Sequence, residues 1–251
     1  MEESKVLKVE NLNVYYKNRK RKPFSGQRKI HTLYDVSFEM EEGEVLAIAG
    51  ESGCGKSTLA RAIVGINKDY TGTLWQKYDG PQMVFQDPYS SLNPAKKIGW
   101  LLEEPLKVDK KHKWTSEERK KKVEEIMGEI ELPLEMLDRY PSQLSGGQRQ
   151  RICIGIALMR SPRLLIADEP VSALDVTIQA QIMELLQNLH KRLGISIIFI
   201  SHDLRVVYQI SDHVMIMKSG RVVEYGKTRD VYKNPQDEYT VQLLKAAGIR
   251  Q

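Results

Sequence analysis

Cysteine is scarce in this chain. Its two cysteines, Cys54 and Cys153, make neither a disulfide framework nor a metal-binding cluster, so a reducing, cytosolic setting is expected. Long apolar runs are absent. Nothing approaches the run of about 18 apolar residues that crosses a bilayer as a helix. The opening Met1-Glu2-Glu3-Ser4-Lys5 is acidic and polar, unlike a secretory leader. There is no internal repeat and no low-complexity tract. These absences exclude an integral membrane protein and a disulfide-stapled scaffold. What remains is ordinary for a globular chain: 251 residues, 41% hydrophobic and 28% charged, enough for one large α/β domain or one domain with a subdomain.

The net charge of +5 is local. Lys17, Arg19, Lys20, Arg21 and Lys22 form one basic cluster, and residues 107–122 hold another. Such clusters suit nucleic acid or an anionic membrane. No aromatic stacking pattern accompanies either cluster. The favoured reading is therefore a solvated loop and a solvated helix face.

The chain is organised around Gly50-Glu51-Ser52-Gly53-Cys54-Gly55-Lys56-Ser57-Thr58, which fits the G-x-x-x-x-G-K-[ST] pattern of a Walker A P-loop. An apolar run, Val45-Leu46-Ala47-Ile48-Ala49, precedes it and predicts a buried strand. Leu59, Ala60, Ile63 and Val64 follow at helical spacing. Glycines let the backbone turn its amides inward around a phosphate, and the following helix adds its N-terminal dipole. Lys56 is expected to reach the β- and γ-phosphates, and the Ser57 hydroxyl to hold Mg²⁺.

Before the P-loop, residues 6–16 predict one or two antiparallel strands. A basic loop over 17–29, broken by Pro23 and Ser25-Gly26, precedes a further strand at 33–40. Small strands are expected at 72–76 and 82–85. Residues 96–160 carry helix signals almost exclusively. Thr115-Ser116-Glu117-Glu118 resembles a capping box, and Val123, Ile126, Met127 and Ile130 recur at helical spacing. Buried strands return at 163–167 and 196–200. Between them Ile178, Ile182, Leu185, Leu186, Leu189 and Leu193 mark a long helix. Strand, helix and strand in this order imply crossovers on a mostly parallel sheet. A hairpin turned at Ser219-Gly220 and two short helices parted at Asn234-Pro235 complete the chain.

The run Leu164-Leu165-Ile166-Ala167-Asp168-Glu169 has the form of a Walker B strand ending in acid. Asp168 is expected to bind Mg²⁺, directly or through water. Glu169 is placed to orient the attacking water or accept its proton. Leu144-Ser145-Gly146-Gly147-Gln148 then supplies a second glycine-rich helix start, hence a second anion site. One P-loop already serves the bound nucleotide, which suggests that this second start meets a partner chain's nucleotide.

At Leu144–Gln148 the chain resembles the ATP-binding-cassette (ABC) family, whose signature is LSGGQ. The resemblance covers essentially the whole chain. It implies a P-loop NTPase of ABC type: an α/β core with a mostly parallel sheet, an N-terminal antiparallel β subdomain and an inserted helical subdomain. The single ABC ATPase domain would span 1–251, with the core over 6–95 and 161–251 and the signature-bearing helices over 96–160. It also implies roles in binding ATP and Mg²⁺. Gln86 matches the Q-loop glutamine that reaches Mg²⁺ and water. Ser172-Ala173-Leu174-Asp175 matches the D-loop, and His202 the switch histidine at the γ-phosphate. Tyr16 matches the aromatic that stacks on adenine, with Tyr15 as competitor. Gly50 to Thr58 would bind the nucleotide of their own chain. Ser145, Gly146, Gly147 and Gln148 would cap that of a second ABC ATPase subunit, in a homo- or heterodimer.

Within the family, the stretches at 84–94 and 168–181 resemble the oligopeptide, dipeptide and nickel importers. The tail Asn234-Pro235-Gln236-Asp237-Glu238-Tyr239-Thr240 resembles that group's N-P-x-H-P-Y-T, departing from it at Asp237 and Glu238. The implied protein is the ATPase subunit of an importer, at the cytoplasmic face of the cell membrane. It would work with transmembrane permeases and, indirectly, an extracytoplasmic solute-binding protein. The cargo would be peptide, or nickel or another metal chelate. A groove near 86–93, with Tyr89 and Leu92 as apolar surface, is expected to receive a short permease helix. The alternatives are a soluble ABC ATPase acting on nucleic acid or ribosomes, a nucleotide switch, and a P-loop kinase. The first usually needs a long coiled coil or a second fused cassette, the second has no need of Glu169 and His202, and the third has no use for 144–148. No nucleic-acid partner is expected.

Overall fold

The computed structural model describes residues 4–17, 29–172 and 174–249. Arg19 to Lys22, Pro23, the Ser25-Gly26 break and Ala173 of the D-loop therefore lie outside the described residues. The chain divides into two compact units, Met1–Pro81 with Ser196–Gln251, and Gln82–Ile195.

The first unit holds two sheets. Strands β1 (Lys5–Lys17), β2 (Lys29–Glu41) and β4 (Tyr70–Gln76) form an antiparallel sheet with β1 in the middle. Residues 6–16 thus belong to one strand. Leu7, Val9, Leu12 and Val14 turn inward with Leu33, Val36, Phe38 and Met40. The inward spacing slips from two to three residues at 9–12 and again at 33–36. At those slips Asn11 and Asp35 take left-handed backbone angles (φ 49° and 51°), and the ladder shifts register around them. Such bulges keep the apolar set on one face despite the extra residue.

In the second sheet of this unit, β3 (Val45–Ala49) lies between β7 (Ser196–Ile200) and β8 (His213–Lys218), parallel to both. Every residue of β3 and β7 is buried, as a doubly covered parallel strand requires. Strand β9 (Arg221–Lys227) closes the edge as a hairpin with β8. Ser219 and Gly220 both carry positive φ, the demand of a tight two-residue hairpin turn. Helix α1 (Lys56–Ile63) follows β3. Helices α7 (Leu204–Ile210), α8 (Thr228–Lys233) and α9 (Glu238–Ala246) pack Leu204, Val207, Val231, Tyr232, Tyr239 and Leu244 against Ala47, Ala49, Val214 and Ile216.

In the second unit, β5 (Gln82–Val84) pairs in parallel with the fully buried β6 (Leu164–Asp168). Its helices are α2 (Pro88–Ser91), α3 (Ile98–Lys107), α4 (Ser116–Glu129), α5 (Gly146–Leu158) and α6 (Val176–Leu193). The capping box at Thr115 and Glu118 is present, with both reciprocal bonds made. In the basic stretch, Lys107 pairs with Glu103 and Lys122 with Glu125 at 2.8 Å each, consistent with a solvated helix face. Helix α6 is capped by the Asp175 side chain and stopped by Gly194 at φ 62°. Among the described residues no helix is long and apolar enough to cross a membrane.

Candidate functional site

The predicted site residues are divided between the two units. In the first, the P-loop connects β3 to α1 as expected. Gly50, Gly53 and Gly55 have φ of 145°, 82° and 113°, angles that side chains disfavour. Position 50 also has no room for one: an added Cβ would sit 2.2 Å from the Met217 carbonyl oxygen. Helix α1 begins at Gly55 with no side chain capping it. Lys56 is 4% exposed, and its ammonium donates to the carbonyl oxygens of Gly50 at 2.7 Å and Glu51 at 3.0 Å. The cation is thus folded back onto its own loop. Glu51, Ser52 and Gly53 are exposed, whereas Cys54 is buried and its thiol pKa is pushed up by that burial. The Cys54 carbonyl is held by the Gly220 amide at 2.8 Å.

His202 is exposed just beyond β7. On one side the Ser201 amide donates to the Ile48 carbonyl of the P-loop strand at 3.2 Å. On the other, Asp203 caps α7 by accepting the Arg205 amide at 2.9 Å. The two candidate adenine platforms differ. The Tyr15 ring stacks on His31 at 4.5 Å and 22°, so one of its faces is already covered. Tyr16 is half-buried on the opposite face of the strand.

In the second unit, Asp168 is buried at the end of β6, and Glu169 follows at φ 49°. A left-handed glutamate is strained and persists only where its surroundings over-determine it. The strain re-aims the side chain at the strand's end, where the Gln86 amide donates to its carboxylate at 3.0 Å. Ser172 folds back, its hydroxyl donating to the Glu169 carbonyl at 3.1 Å. Gln86 and Glu169, 83 positions apart in sequence, therefore meet at the end of β6.

Helix α5 begins at the predicted second glycine-rich start. Ser145 Oγ accepts the Gln148 amide at 3.3 Å, and Gln148 Oε1 accepts the Ser145 amide at 2.9 Å. Gly147 is buried, and an added Cβ would lie 2.5 Å from Ile178 Cγ2. Sequence patterning assigns no role to Arg149, yet its guanidinium donates to the Pro141 carbonyl at 2.7 Å and lies 4.0 Å from the Tyr89 ring centroid. Asp87 caps α2 by accepting the Tyr89 amide at 2.9 Å, which holds its own carboxyl below the usual range. The expected apolar groove needs correction here. Tyr89 is 65% exposed, but Leu92 is 2% exposed and belongs to the core. A leucine four residues past a proline-started turn points inward once that turn ends, a direction that composition does not reveal.

The family model described as ABC transporter matches residues 33–172. The chain belongs to the ABC transporter family. The dipeptide transport ATP-binding protein DppF of Haemophilus influenzae is 45% identical over 98% of this chain and 79% of its own length. DppF of Escherichia coli is 46% identical over 89% of this chain and 71% of its own. Among solved structures, cbiO1 from Clostridium perfringens, part of the transporter complex cbiONQ, superposes with a TM-score of 0.77 at 30% identity. That match covers 99% of this chain and 96% of cbiO1. The ATP-binding cassette MJ0796, in a dimeric post-hydrolysis state bound to ADP and Pi, gives a TM-score of 0.74 at 29% identity, over 89% and 99% of the two chains. This ABC-family chain is accordingly an α/β ATPase of the cassette type.

Proposed function

We propose that this chain is the ATP-hydrolysing subunit of a peptide importer, peripheral to the cytoplasmic face of the membrane. It would act with permease subunits, a second cassette and, through them, a solute-binding protein. The observation that carries the hydrolytic reading is the carboxylate of Glu169, re-aimed by a left-handed backbone and held by Gln86. Peptide is preferred to nickel or another chelate because the relatives above are named for dipeptides.

The residues present fit the magnesium nucleotide. The bare helix start at Gly55 and a lysine folded onto loop carbonyls suit a phosphate chain. Ser57 and Asp168 offer the oxygen donors that a hard cation prefers. Mg²⁺, when bound, neutralises charge on the phosphate oxygens.

Lys56 is assigned to exchange its loop carbonyls for β- and γ-phosphate oxygens. Tyr16 is assigned to the adenine face. Glu169 accepts the proton of the water that attacks the γ-phosphorus, Gln86 orients that carboxylate, and His202 donates to the transferring group. The bond to the leaving ADP oxygen breaks as the bond to water oxygen forms. Ser145, Gly146, Gly147 and Gln148 are assigned to the γ-phosphate of the second cassette, so turnover requires closure of the pair.

Glu169→Gln tests this assignment. The amide keeps the size and hydrogen bonding of the carboxylate and loses its basicity. ATP binding should persist while turnover falls by about 10²-fold or more, measured as phosphate release. Near-normal turnover in that variant would place the base elsewhere.

A further inference from the structure

The tail segment 234–240 has no part in the assignments above, yet its backbone is held at successive points. The Glu224 carboxylate on β9 accepts the amides of Gln236 at 2.8 Å and Asp237 at 3.2 Å. Asp237 then caps α9 by accepting the Tyr239 amide at 2.8 Å. Fixed on both sides, the chain delivers the Tyr239 ring into the interior, 6% exposed, with the Lys218 ammonium 4.5 Å from its centroid. Burial raises the phenol's pKa, so the hydroxyl is neutral around pH 7. That hydroxyl accepts the Glu51 amide at 3.2 Å.

Glu51 is the second residue of the P-loop. Its N–H and the Gly50 C=O belong to the same planar peptide and point in opposite directions. The carbonyl end is held by Lys56 at 2.7 Å and the amide end by Tyr239. Gly50, at φ 145°, gives that peptide little resistance to rotation. If Lys56 leaves for a phosphate oxygen, one of the two restraints goes with it. Tyr239 stays.

We infer that Tyr239 is a positioning residue for the P-loop, pinning the Gly50–Glu51 peptide so that the loop keeps its phosphate-binding shape when Lys56 turns to the nucleotide. The inference rests on the P-loop assignment above. On this view the tail's tyrosine serves the nucleotide loop. Asp237 and Glu224 serve it in turn by setting where α9 begins.

The test compares Tyr239→Phe with Leu244→Val, each in the full chain. Phenylalanine keeps the ring and the Lys218 contact and removes only the acceptor. Leu244 is buried on the same helix, and valine there loosens α9 without touching Glu51. Equilibrium titration should show Kd for ATP rising about three- to tenfold in Tyr239→Phe, the worth of one hydrogen bond. KM should rise with it while kcat stays within about twofold, since an effect on binding alone leaves the chemical step intact. Leu244→Val should lower the thermal midpoint with ATP affinity unchanged. Unchanged affinity in Tyr239→Phe, or an equal loss in Leu244→Val, overturns the inference. Lys56→Ala, titrated alongside, separates the two levels. Weakened binding there with Tyr239→Phe unaffected removes only the tyrosine's role. Unweakened binding there removes the P-loop assignment itself.

Discussion

At Gly55-Lys56 and again at Ser145-Gly146 a glycine-rich turn runs into a helix, and the two starts are finished in opposite ways. The P-loop start has a left-handed glycine at its cap and no side chain closing it. The signature start closes itself, with Ser145 and Gln148 taking each other's amides. Their glycines differ as well. In the P-loop they supply backbone angles, φ 82° at Gly53 and 113° at Gly55. Gly147 has no such angle and is needed because Ile178 packs where a Cβ would go. An open start binds an anion on its own. A self-satisfied start is a finished surface, suited to meeting an anion that another chain delivers. Affinity for ATP in the isolated chain should therefore reside in the first start, and the second should matter for turnover in the assembled pair.

Four substitutions test that division. Lys56→Ala should have the largest effect. It removes a charge-assisted donor worth about 1.5–3 kcal/mol, or roughly 10- to 100-fold in Kd for ATP, readable by equilibrium titration. Equal affinities would erase the asymmetry. Gly147→Ala should cost about 1–3 kcal/mol of folding stability through overpacking, measured by urea unfolding. Combining it with Ile178→Ala should cost less than the sum of the two. Strict additivity would mean that Ile178 is not what excludes a side chain there. Ser145→Ala should be the mildest, about 1 kcal/mol from the lost cap. The lone chain's ATP affinity should be unchanged and phosphate release by the assembled transporter reduced. A fall in affinity matching that of Lys56→Ala would show that the second start also binds the chain's own nucleotide.

Much of this is legible in the sequence alone. Strands at 45–49, 164–168 and 196–200 are buried on both faces, so they read as runs that are almost wholly apolar. The Thr115 box and the Ser219-Gly220 turn are local chemistry and need no tertiary knowledge. The order of the P-loop, Gln86, signature, Asp168-Glu169 and His202 was likewise plain. What stayed hidden depends on backbone angle or on distant packing. The bulges at Asn11 and Asp35 turned clean alternation into partial alternation, so one strand read as one or two. The left-handed backbone of Glu169 leaves no trace in composition. Leu92 and Tyr89 are both apolar residues near one turn, and only the fold decides which of them is buried. Tyr239 lies 188 positions from Glu51, and no local pattern announces a bond over that separation.

The hairpin tip at Ser219-Gly220 looks like a natural place to splice in an affinity tag or to open new termini, because exposed turns usually tolerate both. Here the backbone is already committed. The Gly220 amide donates to the Cys54 carbonyl and its carbonyl accepts the Tyr34 amide, each at 2.8 Å. A Cβ at that glycine would lie 2.3 Å from the Thr32 carbonyl oxygen. The tip is a rivet between the N-terminal sheet and the nucleotide loop. A cargo spliced in there would register as lost ATP binding long before it disturbed the hairpin itself, so reporters for this protein belong elsewhere on its surface.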